Sequence, residues 1–276
     1  QTYSSDDPAV TAHALKKYWL EFEPNQGINL IKAEQRRHFE AAGTPTPVLK
    51  AIGDEIAKWA RKDVNGFLPL VQLLWDEYGR EGRVIALIPL GAMELTDPPR
   101  FVPLLKEMCK ECNSWEEADR LAMDALEPIV RKNPDQWLTR LEEWLDDKNK
   151  WVRRAAITVI ARIPMKHPGY TRQCLVYAER LLLDTELDVK RAVSFDVRLC
   201  AKVDPKLVYT FLEKHVPGPD PASVWVLSDV IKSMDRKVLP LLSPLLARFQ
   251  QWRDAPGITA KDQRTLDSAI KVLQVA

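Results

Sequence analysis

The chain has 276 residues, of which 46% are hydrophobic and 29% charged, and its 40 basic and 39 acidic side chains leave a formal net charge of +1. This is an ordinary soluble globular composition with ample residues for a core. It excludes a chain that binds nucleic acid by bulk charge, so any DNA-binding surface must come from local segregation of bases and acids.

No apolar run approaches a membrane span and no signal peptide is visible; the start at Gln1-Thr2-Tyr3 reads as a trimmed one. Sustained strand alternation is absent, and almost every segment has helical periodicity. Helices are expected from about Pro8 through Trp19 and Leu20, from about Ile31, and after Thr44-Pro45-Thr46-Pro47 through Trp59. Further helices are expected over 66–78, 80–95, 100–112, 115–131, 134–145, 150–163, 169–183, 188–202, 205–215, 222–234 and 237–252, with a tail helix from about Lys261. Pro98-Pro99, Pro134, Pro168, Pro205 and the turn Pro217-Gly218-Pro219-Asp220-Pro221 mark corners, because proline lacks an amide donor and suits helix starts. Pro89, Pro128, Pro164, Pro240 and Pro244 fall inside or at the ends of helical patterns, as kink positions.

The chain repeats internally. Val152-Arg153-Arg154-Ala155-Ala156 recurs 37 residues later as Val189-Lys190-Arg191-Ala192-Val193, with a fainter copy at Arg83-Val84-Ile85-Ala86. A helix pair repeating at roughly 40 residues is the signature of a HEAT or armadillo array. The expected fold is therefore all-α, a HEAT-like α-solenoid of antiparallel helix pairs with a concave face. It is expected as a single domain over 1–276, with N-terminal helices to 43, core repeats over 44–216 and capping helices from 217.

Two constellations carry chemistry. Ser114 can cap a helix, and Glu117 stands at the capping-box spacing. Trp115 and Asp119, four apart, then share one helix face. An aromatic beside a carboxylate could hold a cationic, sugar-like transition state. The same residues also fit a packing aromatic and an acid favoured by the helix dipole. The second constellation is basic. Lys148, Lys150, Arg153 and Arg154 begin one repeat helix, Lys190, Arg191 and Arg198 lie on the next, and Arg80 and Arg83 begin an earlier one. Equivalent helices line one face, so these charges form either a stripe that tracks phosphates or a solvated face paired with Glu142, Glu143, Asp146 and Asp147.

Leu74-Trp75-Asp76 with Arg80-Glu81, Ser114-Trp115 with Asp119, Trp151-Val152-Arg153-Arg154-Ala155-Ala156-Ile157 and Lys190-Arg191-Ala192-Val193-Ser194-Phe195 stand in an order and spacing that resembles the AlkD-like DNA alkylation-repair glycosylases. The resemblance runs from about Gly43 to about Lys202. It implies Trp115 and Asp119 at the lesion and Arg154 on DNA. Trp151, Arg153, Arg191, Lys190 and Arg83 are further expected contacts. Phe195 stands where the family carries a second tryptophan, which keeps an aromatic face but removes the stronger cation–π surface of indole. The implied reaction is hydrolysis of the N-glycosidic bond of a cationic alkylated purine in duplex DNA, by a monomer without a cofactor, in the cytoplasm. Two other readings stand beside it: a DNA-structure binder without catalysis, favoured by Phe195, and a protein-interaction scaffold, favoured by the neutral net charge.

Other signals are weaker. His13, His38, His167 and His215 are scattered, without metal-ligand spacing. Cys109 and Cys112 have redox or zinc spacing, but they lie in a helical pattern with no second pair. With Cys174 and Cys200 they suggest no disulfide framework and a reducing compartment. Trp19, Trp59, Trp75, Trp137, Trp144, Trp225 and Trp252 fit helix faces as packing residues.

Overall fold

The computed structural model describes residues 7–22, 42–218 and 220–276. Among these residues there is no strand. The helix expected near Ile31, and His38 with it, lie outside the described residues.

The chain divides into two compact units after Lys132. The first contains α1 (Pro8–Trp19), α2 (Thr46–Ala60), α3 (Val64–Glu77), α4 (Gly79–Glu94), α5 (Pro98–Lys110) and α6 (Trp115–Arg120). From α6 the chain enters a π-helical stretch, Leu121–Leu126, and continues as α7 (Glu127–Lys132). The second unit contains α8 (Pro134–Glu142), α9 (Lys150–Arg162), α10 (Thr171–Arg180), α11 (Leu187–Val203) and α12 (Pro205–His215). It ends with α13 (Val224–Lys232), the short α14 (Leu239–Leu242), α15 (Leu246–Arg253) and α16 (Ala260–Gln274).

The repeat expected from one sequence pair extends through both units. One set of helices starts at Thr46, Gly79 and Trp115 in the first unit and at Lys150, Leu187, Val224 and Ala260 in the second, in steps of 33 to 37 residues. Successive members of this set pack on each other: α2 on α4 and α4 on the π stretch, then α9 on α11, α11 on α13 and α13 on α16. The core follows from that stacking. Leu49, Ile56, Leu74, Ile85, Leu90 and Met93 fill the first unit, and Val152, Ile160, Val193, Leu227 and Phe249 the second. A side chain of that size contributes about 1.5–3 kcal/mol when fully buried. Ala155 and Ala156 of α9 are fully buried.

Several boundaries differ from the sequence reading for local reasons. The helix expected from Gly66 starts at Val64, because Asp63 caps it and accepts the Gly66 N–H at 2.9 Å. The helix expected over 237–252 breaks into α14, a 3-10 turn at Ser243–Leu245 and α15, and Pro244 lies in that turn with no amide to donate. Among the expected packing tryptophans Trp225 is half-buried and Trp59 lies open. Trp59 is 46% exposed, with the Lys62 ammonium 5.1 Å from its ring centroid.

Glu94, the last residue of α4, is fully buried, and neither carboxyl oxygen has a hydrogen-bond partner. Burial holds its pKa well above the usual 4.5, which favours the neutral form in the folded protein. Its stability contribution is fully present below the unfolded pKa and is lost as pH rises toward the folded one. Glu94→Gln is therefore expected to be more stable than wild type by about 1–3 kcal/mol near neutral pH, with the gap closing toward pH 4.5. Urea unfolding at a series of pH values checks this, and a gap independent of pH would refute it.

Candidate nucleic-acid interface

The first turn of α6 is built from three directions. Ser114 has extended backbone and caps the helix, its Oγ accepting the Glu117 N–H at 3.3 Å. The reciprocal half of the capping box is displaced by one residue. The Glu117 carboxylate accepts the Asn113 N–H, at 2.8 Å, because the same oxygen is drawn to the Arg83 Nη1 at 3.0 Å. Arg80, on the same turn of α4, forks onto Glu116 through Nε at 3.1 Å and Nη2 at 2.7 Å. One turn of α4 thus grips two consecutive carboxylates at the start of α6.

The grip is itself supported. The Arg83 guanidinium lies 4.6 Å from the Trp75 ring centroid and donates to the Trp75 carbonyl at 3.1 Å. The Trp75 indole N–H donates to Glu111 at 2.7 Å. Arg80 also reaches Thr46 Oγ1 at 3.4 Å, and Glu81 accepts the Gly43 N–H at 3.0 Å. Gly43 has φ +83, a conformation side chains with a Cβ rarely adopt. Burial raises the Glu117 pKa, and the Arg83 charge opposes that rise. The sequence pieces Trp75-Asp76, Arg80-Glu81 and Ser114-Trp115 therefore belong to one network.

Its consequence is the placement of Trp115 and Asp119. Glu117 and Ala118 are turned inward, while Trp115 is 49% exposed and Asp119 half-buried on the same side of the helix. The π stretch follows at once. Gly91 of α4 packs so closely here that an added Cβ would stand 2.2 Å from the Asp124 carbonyl oxygen. The Asp124 carboxylate is held by Lys50 and Arg120, each at 3.4 Å. π turns are rare and recur at functional sites.

In the second unit the basic residues divide. Arg153 forks onto Asp184 at 2.6 and 3.1 Å and donates to the carbonyls of Asp147 and Lys148 at 2.8 and 3.1 Å. Arg154 is 7% exposed and donates to the Asp188 carbonyl at the start of α11. Lys190 reaches the Ala222 carbonyl just before α13, at 3.2 Å. These three side chains join one repeat to the next, as Arg80 and Arg83 do in the first unit. Of the acids expected beside them, Glu142 and Asp146 are held by Arg180. Arg191 keeps a 54% exposed side chain, 3.8 Å from Asp188. Trp151 is half-buried, with the Lys150 ammonium 4.5 Å from its ring, and Phe195 is half-buried, with the Arg198 guanidinium at 5.8 Å. Sequence reasoning missed Glu116, Asp184 and Lys50 as anchors. The signal that finds Glu116 and Asp184 is opposite charge spaced by about one repeat, as in Arg80 to Glu116 and Arg153 to Asp184, whereas Lys50 stands 74 residues from Asp124, about two repeats.

None of the four cysteines forms a disulfide, and all four are buried. Burial raises the Cys112 thiol, whose Sγ faces the Met108 carbonyl at 3.5 Å. Among the described residues no three of His, Cys, Asp and Glu are grouped as metal ligands.

A family model described as DNA alkylation repair enzyme matches residues 22–234. The chain belongs to that family. Two solved structures from Streptococcus mutans share its all-helical repeat fold. AlkD2 is 18% identical, with a TM-score of 0.61 over 83% of this chain and 100% of its own. The protein smu.31 is 20% identical, with a TM-score of 0.58 over 68% of this chain and 94% of its own. No curated protein matches the sequence. As a member of a DNA alkylation repair enzyme family, the chain has DNA as its partner.

The repeat-joining role of Arg153 has a measurable consequence. Arg153→Met leaves the nearly buried Asp184 without its cation and is expected to lower unfolding stability by about 3–5 kcal/mol. Arg191→Ala, on an exposed side chain, is expected to stay within about 0.5 kcal/mol of wild type. Denaturant midpoints compare the two, and equal losses would contradict a repeat-joining role for Arg153.

Proposed function

We propose that this chain is a monofunctional DNA glycosylase that hydrolyses the N-glycosidic bond of cationic alkylated purines in duplex DNA, acting as a cytoplasmic monomer. The observation that supports this best is the half-exposed Trp115 one turn before Asp119, on a helix whose first turn is anchored by two arginine–glutamate pairs.

Alkylation of a purine ring nitrogen makes the base a cation and a good leaving group, so no general acid is needed. The C–N bond breaks toward a neutral free base, and the positive charge passes to the deoxyribose as an oxocarbenium-like species. Asp119 stabilises that charge and orients the water that adds to the anomeric carbon. Trp115 presents its π face to the cationic nucleotide, an interaction of about 0.5–2 kcal/mol. In the second unit Arg191 is the phosphate contact, with Trp151 and Phe195 as aromatic surfaces. Water is the sole co-reactant.

Phe195 favours a second reading, a binder of unusual DNA structures without base release, because an aromatic without the indole gives the weaker cation–π surface. Release of base separates the two. Asp119→Asn preserves shape and removes the charge, so it is expected to release methylated purine about 10²–10³-fold more slowly while binding intact duplex as wild type does. Equal rates would remove Asp119 from the chemistry, and a wild-type protein that binds but releases nothing would leave the second reading.

Binding itself is tested by salt. Arg191→Ala is expected to weaken binding to duplexes of any sequence and to make the slope of log K against log salt shallower by about one. An unchanged slope would exclude Arg191 from the phosphate contacts.

A further inference from the structure

The anchoring of α6 has a geometric property that a single ion pair would lack. Glu116 and Glu117 are adjacent, and adjacent residues on a helix point about 100° apart. Gripping both from one turn of α4 therefore fixes the rotation of α6 as well as its position. The two grips differ. Arg80 meets Glu116 through two hydrogen bonds. Arg83 meets Glu117 through one oxygen at 3.0 Å, that oxygen also accepts the Asn113 N–H, and the other oxygen is buried without a partner. With side chains 16% and 5% exposed, this second pair is held in place mainly by its charges.

We propose that Arg83 and Glu117 are positioning residues for Trp115 and Asp119, their buried ion pair setting the rotation of α6 that presents those two side chains together. The proposal rests on the reading of Trp115 and Asp119 as the lesion-facing pair. It assigns Arg83 a role different from the DNA contact that its place in the repeat suggests. The guanidinium is stacked on Trp75 and donates to the carbonyls of Trp75 and Glu111, at 3.1 and 3.4 Å, besides Glu117. The charged groups acting on Glu117 are Arg83, which favours its ionised form, and Glu116, which opposes it. The Cys112 thiol is also electrostatically coupled to Glu117, and Asp76 and Glu111 bear on the same arginine or thiol. Burial pushes the Glu117 carboxyl upward, so acid releases this grip at a pH closer to neutral than it would for an exposed glutamate.

The test uses the full chain and a duplex oligonucleotide carrying one 7-methylguanine. Glu117→Gln keeps the side chain's shape and removes its charge. The expected result is a single-turnover rate at saturating enzyme reduced at least about tenfold, with the Kd for the same duplex within about twofold of wild type. Amide exchange at Asn113 is expected to quicken about tenfold while the core of the unit stays protected. Arg83→Lys, which keeps the charge and some of the stacking, is expected to fall between wild type and Glu117→Gln. It serves as the test variant if Glu117→Gln does not fold. Wild-type rate alongside quickened exchange would overturn the proposal, and so would equal loss of rate, affinity and thermal stability. Unchanged exchange at Asn113 would show that the grip itself is absent. A wild-type protein that releases no base overturns the glycosylase reading instead, and the exchange measurement still reports whether Arg83 and Glu117 hold α6.

Discussion

The structure depends on cations near the start of one repeat helix reaching the start of its counterpart about one repeat later. Arg80 and Arg83 hold Glu116 and Glu117, and Arg153 and Lys150 hold Asp184 and Asp188. A helix start carries unsatisfied amide donors and a partial positive charge, so acids gather there. Those acids then offer the preceding repeat an anchor. Stacked apolar faces alone would let one helix slide or rotate against the next, because burial is non-directional. A guanidinium fork is directional, and at these positions it is largely shielded from water.

Such pairs are weak evidence for net stability, since desolvation offsets much of their attraction. Their value here is in register. Deleting one partner strands the other in a buried site, which makes the misaligned packing costly even where the aligned pair gains little. The same logic supports the proposed orienting of Trp115 and Asp119 by the anchor of α6. In the proposed reaction Asp119 acts on a short-lived cation and must already be in place, since its electrostatic benefit is largest when no reorganisation is needed. The clamp supplies that fixity from α4, and the close approach of Gly91 to the Asp124 carbonyl fixes the other end of the same helical run.

The basic residues of the second unit show the complementary point. A repeated Arg or Lys on repeated helices reads equally as a phosphate-tracking stripe and as inter-repeat glue, because both require periodic cations. Arg154 and Lys190 reach backbone carbonyls of the following repeat, and Arg153 reaches a carboxylate. Arg191, one residue from Lys190, points to the more exposed side. On a helix, one position decides whether a cation faces a neighbour or solvent.

The sequence by itself determined the helical class, most corners, the repeat and the pairing of Trp115 with Asp119 on one helix face. These are local: periodicity, proline placement, an N-cap serine and a spacing of four are properties of short segments. Tertiary structure decided what local rules do not contain. It displaced the Glu117 half of the capping box, because Arg83 competes for the same carboxylate. It turned Arg83, Arg153 and Arg154 toward neighbouring repeats, left Trp59 exposed while its fellow tryptophans Trp19 and Trp75 went inside, and buried Glu94 without a partner. Each of these outcomes depends on a group 30 or more residues away in sequence or on the packing of a neighbouring helix, and the energy of a charge or a ring is set by what surrounds it.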